Sequence, residues 1–108
     1  MPYYLIQLGY VPKAWDALID EPENRIEAVT PAITAVGGRF VDAWMSFGEF
    51  DLVGIAEFPD NVSAAAFSMA VEAGGGVEQY RTTPLMTMQE GMDALRKAQS
   101  TGYKPPQE

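Results

Sequence analysis

Cysteine and histidine are both absent from the 108 residues. Their absence excludes a disulfide, a thiolate nucleophile, a Cys/His zinc site and an imidazole base. Haem ligation would fall to a tyrosine, and nothing in the pattern points to it. Basic side chains are scarce as well: seven Lys and Arg stand against fifteen Asp and Glu, for a net charge of −8. Only Arg96 and Lys97 are adjacent. Phosphate backbones are held by clustered cations that release counterions, so nucleic acid is not an expected partner. No apolar run approaches the ~20 residues that cross a bilayer. The opening Met1-Pro2-Tyr3-Tyr4-Leu5-Ile6 lacks the basic and long apolar regions of a signal peptide. The carboxylates are scattered, with no EF-hand-like loop. These absences predict a cytoplasmic protein with no membrane partner, no metal and no cofactor.

What is present is ordinary globular material, 47% hydrophobic and 20% charged. The length suits one domain, placed at residues 1–98, with a polar tail over 99–108 that contains Pro105-Pro106. A domain this small buries a modest share of its surface, which makes self-association an expectation from the start.

The compact apolar run Tyr3 to Tyr10 predicts a first strand. Pro12 can open a short helix carrying Trp15, Leu18 and Ile19. A second helical piece is expected from Pro22. Its face of Ile26, Val29, Ile33 and Val36 has helical spacing, Pro31 should kink it, and Gly37-Gly38 ends it. Arg39 to Phe58 predicts a β-hairpin with a two-residue turn at Gly48-Glu49, pairing Phe47 with Phe50, Met45 with Leu52 and Ala43 with Gly54. That register puts Val41, Ala43, Met45, Ala56 and Phe58 toward the helices. It leaves Phe40, Asp42, Trp44, Asp51, Val53, Ile55 and Glu57 on the other face. A bulge would shift one strand against the other. Asp60 is a good N-cap for a third helix buried through Ala64, Phe67 and Val71, and closed by Gly74-Gly75-Gly76. Val77 to Thr83 forms a fourth strand. Thr87 and Glu90 have capping-box spacing for a last helix with Met92 and Leu95 on its inner face.

The order β-α-β-β-α-β with an extra C-terminal helix is the ferredoxin-like α+β arrangement. Its helices cover one face of an antiparallel sheet. The other face, with Trp44, Phe40, Val53 and Ile55, is too apolar to stay wet, and two such sheets packed together would form a dimeric α/β barrel.

The chain resembles the GYD domain family through four stretches. These are Met1-Pro2-Tyr3-Tyr4-Leu5-Ile6-Gln7, Phe47-Gly48-Glu49-Phe50-Asp51, Val53-Gly54-Ile55-Ala56-Glu57-Phe58-Pro59-Asp60-Asn61, and Thr82-Thr83-Pro84-Leu85. The resemblance spans nearly the whole domain and implies a dimeric α/β barrel, but it carries no catalytic residues across. Where the family motif has tyrosine, Phe50 stands, so no role for a phenol follows at that place. A similar hairpin occurs in effector-binding domains of the leucine-responsive regulator type, a likeness of fold and turn only.

Four residues are candidates for the cleft face: Gln7, Trp44, Asp51 and Arg81. Asp51 is either a carboxylate for chemistry or an acceptor for a nearby backbone amide. Trp44 either stacks on a flat ligand or anchors an interface. Gln7 orients a ligand or satisfies a neighbour. Of Tyr80 and Arg81, one must face the cleft, because adjacent strand residues alternate; Arg81 there could pair with a carboxylate. Gly74-Gly75-Gly76 lies between helix and strand, the wrong order for a phosphate loop. The expected function is a homo-oligomeric module that binds a small molecule or a partner at the barrel cleft. The alternative is a cofactor-independent enzyme of monooxygenase or isomerase type that uses carboxylates or tyrosine.

Overall fold

A computed structural model describes residues 1–106. Residues 107 and 108, the end of the expected polar tail, lie outside the described residues. Four strands and four helices follow in the order β1 (Tyr3–Tyr10), α1 (Pro12–Asp20), α2 (Arg25–Ala35), β2 (Arg39–Met45), β3 (Leu52–Glu57), α3 (Asn61–Ala73), β4 (Val77–Leu85) and α4 (Met88–Gln99). The sheet runs β2-β3-β1-β4, antiparallel throughout. This is the expected ferredoxin-like α+β fold.

Strand alternation in β1 sends Tyr4, Ile6, Leu8 and Tyr10 toward the helices, where they join Ile33, Leu52, Ala56, Phe58, Ala64 and Phe67 in the core. Pro12 starts α1, as its fixed φ allows. The second helix begins at Arg25 rather than Pro22, because the Asn24 side chain accepts from the amides of Ile26 and Glu27 and so sets the N-terminus. Pro31 sits inside α2 without ending it. The helix stops at Gly37, whose φ of 82° is left-handed, while the Gly37 and Gly38 amides donate back to Thr34 and Ile33. Asp60 caps α3 through the Ser63 amide, as expected. Strand β4 runs two residues further than Thr83. Pro84 is tolerated there because β4 is an edge strand.

Three further expectations are corrected by the structure. The register of β2 against β3 shifts between Phe40 and Asp42, leaving Val41 unpaired. An odd insertion reverses which side a residue faces. Phe40 therefore packs on the helix side, edge-on to Phe67 at 6.4 Å, and Val41 does not. The hairpin does not close with two residues either. Residues 46–51 form a longer loop in which the Ser46 amide donates to the Asp51 carbonyl at 2.9 Å and the Ser46 hydroxyl to that of Phe50. Phe50 is buried while Phe47 is fully exposed, so the two do not pair. Finally, α4 has its capping box, with Thr87 and Glu90 exchanging hydrogen bonds, but no inner face: none of its residues is buried.

Candidate functional site

The face of the sheet away from the helices carries Tyr3, Leu5 and Gln7 of β1, Val53, Ile55 and Glu57 of β3, and Asp42 and Trp44 of β2. Each β3 residue is set opposite its partner by register. Of the Tyr80/Arg81 pair, Arg81 lies on this face, directly opposite Gln7, while Tyr80 packs against the core. Trp44 is more than half exposed and faces outward beside Val53. The Arg81 guanidinium lies 5.3 Å from the centre of the Phe50 ring. The phenylalanine at the motif's tyrosine position thus presents its π face to a cation, a contact that needs no hydroxyl. Arg39 bonds Glu57 at 2.9 Å. Burial works to raise the Glu57 carboxyl, but the Arg39 guanidinium and the Tyr3 hydroxyl hydrogen-bond it and hold it below its ordinary value.

Asp51 stands apart from Gln7, Trp44 and Arg81 in what it does. Pairing of β3 with β1 reaches Leu52 opposite Leu8; one step beyond, the Asp51 amide donates to the Leu8 carbonyl at 2.8 Å. Its Oδ2 accepts from the Tyr10 amide, also at 2.8 Å. A carboxylate oxygen here replaces the carbonyl that a longer β3 would have supplied. The register of β1 against β4 also shifts between Gly9 and Tyr10, so the bond fixes the strand where its pairing is irregular. The Gly48-Glu49 segment is braced by Ser46 instead.

The larger concavities lie on the helix side. One, of about 540 Å³, opens between α1, α2 and α3 and is walled by small residues such as Ala14, Ala17, Ala32 and Ala70. The other, of about 710 Å³, runs between α1, the α1–α2 connection and the β2 edge. Tyr10, Leu18, Glu23 and Arg25 form the wall between them. Tyr10 is buried and meets Trp15 edge-on at 5.3 Å. Burial pushes its phenol above the ordinary value, against the pull of the hydrogen-bonded Arg25 guanidinium. Arg25 in turn pairs with Glu23. An apolar cleft whose lining includes one buried phenol, the Arg25–Glu23 ion pair and the Glu21 carboxylate suits a small, partly apolar molecule.

Sequence reasoning missed this cluster. Tyr10 was legible as the last helix-facing residue of β1. Arg25 and Glu23 gave no signal of their own, since only the turn capped by Asn24 brings them over Tyr10. Among the described residues, no group of three acidic side chains stands close enough to hold a metal ion. No helix among them is long and apolar enough to cross a membrane.

The GYD domain model matches residues 4–95 of this chain. No curated protein matches it. Among solved structures, the crystal structure of FFRP-DM1 superposes with a TM-score of 0.50, at 14% identity, over 80% of this chain and all of that one. At that identity the likeness shows the fold alone.

Proposed function

The chain belongs to the GYD domain family, and on that premise we propose that it is a homo-oligomeric module that takes up a small, partly apolar molecule. The observation that carries this reading is the Ala-walled cleft between α1, α2 and α3, lined also by Tyr10, Glu21, Glu23 and Arg25. Its polar groups are few and convergent, and its apolar wall supplies the burial. The apolar open sheet face, with Leu5, Trp44, Val53 and Ile55, is covered by a second copy. Gln7, Trp44 and Arg81 then line the space between the sheets, with Asp51 at its end.

At the wall of this cleft the buried Tyr10 phenol keeps its proton and can donate a hydrogen bond to a bound molecule. Native mass spectrometry of the purified full chain tests both halves of the proposal. The expected spectrum is an even-numbered homo-oligomer carrying one small-molecule mass per chain. Ala70→Trp, at an exposed position on the cleft wall, should remove that mass without moving the melting temperature. A bare monomer would overturn the reading.

A further inference from the structure

The last helix is built to persist yet buries none of its residues against its own domain. Its capping box, its Gln89–Asp93 and Asp93–Arg96 side-chain bonds and the basic last turn all favour helix. Even so, isolated helices shorter than ~12–15 residues are marginal in water without a packed face. Met88, Met92 and Leu95 recur at helical spacing on one side, and Met88 and Leu95 are 86% and 64% exposed. The chain is correspondingly drawn out. Its radius of gyration is 17.4 Å, where a compact domain of this length has about 13 Å.

A matching surface exists on the same protein. The groove beside the β2 edge is lined by Trp15, Ile19, Phe40, Val41, Met45 and Leu52, and Ile19 and Met45 are 76% and 72% exposed. Asp42 and the Glu23–Arg25 ion pair line this groove, and Asp20 and Glu21, at the C-terminal end of α1, follow its lining residue Ile19 in the chain. Charge is divided to match. Before Met88 four basic residues face twelve acidic ones, whereas Arg96, Lys97 and Lys104 outnumber Glu90 and Asp93 in the segment from 88 to 104. The exposed Asp93–Arg96 pair is too weak to hold Arg96 back.

We propose that α4 is an exchanged arm: its Met88-Met92-Leu95 face lies in the α1–β2 groove of a second copy, with Arg96 and Lys97 against that copy's Asp20 and Glu21. The partner is the second copy of the reading above, but the surface is a different one, on the helix side of the sheet. Two such contacts related by a two-fold axis close a dimer.

Because the chain has no cysteine, engineered thiols report the contact directly. Full-length Leu95→Cys mixed with full-length Ile19→Cys should give a disulfide-linked dimer as the main oxidised species. Leu95→Cys mixed with Val53→Cys, on the open sheet face, should not. Adding Arg96→Glu and Lys97→Glu should slow the linkage roughly tenfold at low salt, and Asp20→Lys with Glu21→Lys in the partner should restore it. Equal linkage through Val53 would overturn the proposal. So would linkage within one chain in the Leu95→Cys/Ile19→Cys double variant. No linkage while light scattering still reports a dimer would refute the arm and leave the sheet-face dimer standing. A monomer would refute both.

Discussion

Replacing Asp51 separates a residue that builds the sheet from one that serves a ligand. Asp51→Ala removes the acceptor of the Tyr10 amide, which at 2.8 Å is a good bond in a half-buried setting. A hydrogen bond to a charged acceptor contributes about 1.5–3 kcal/mol, and a neutral one about 0.5–1.5 kcal/mol. Pairing with β3 ends at Leu52 and so does not reach that amide. The Ala variant should therefore lose about 2 kcal/mol, and Asp51→Asn, which keeps an oxygen but not the charge, about half of that. For a domain near this size each kcal/mol moves Tm by about 4–8 °C, so Ala should melt roughly 10 °C low and Asn about midway. Thermal melts followed by circular dichroism at one fixed protein concentration measure this, the concentration being held because association shifts Tm. Amide exchange adds a local readout: the Tyr10 N–H should lose protection in the Ala variant more than Leu8 or Ile6. An Ala variant that melts with the parent would refute the reasoning, as would an Asn variant no better than Ala.

Gly38→Ala should cost about 1–3 kcal/mol in urea unfolding, because an added Cβ would sit 2.7 Å from the Phe58 ring and 2.8 Å from the Glu57 carbonyl. Tyr80→Phe should raise Tm, with a gain of about 1 kcal/mol, since the Tyr80 hydroxyl is buried without a hydrogen-bond partner among the described residues. In acid, Glu57 and Asp60 set the trend. The Arg39 and Tyr3 bonds hold Glu57 below its ordinary value against burial, and the Ser63 amide does the same for Asp60. Their stabilisation is complete above the unfolded values near ~4 and is lost as pH falls through the lower folded ones. Chemical denaturation should thus show a plateau from these groups down to about pH 5 and a decline below about pH 4. At the other end, the raised Tyr10 phenol keeps its proton longer when folded, so stability should fall as pH rises past about 10.

Much of the architecture was written locally. The apolar run Tyr3 to Tyr10 marked the first strand, and proline at Pro12 and glycine at Gly37 set element ends through φ alone. Asp60, and Thr87 with Glu90, marked helix starts because a cap involves residues within one turn of each other. The β-α-β-β-α-β order then left few ways to bury the apolar faces, and the family resemblance agreed with it. Other features depended on contacts between distant residues, and there the tertiary structure decided. The bulge at Val41 reversed the side that Phe40 faces, because strand period is two and a one-residue shift leaves composition unchanged. Asp51 looked like a brace for its own turn, yet its acceptor oxygen serves Tyr10, forty-one residues away in sequence. Arg25 and Glu23 joined Tyr10 in the wall of a cleft only once the α1–α2 connection was folded beside it. And α4 has the apolar spacing of a packed helix, which states that a face must be covered without saying by what. Among the described residues none of α4 is buried, so its periodicity alone does not place it inside the domain.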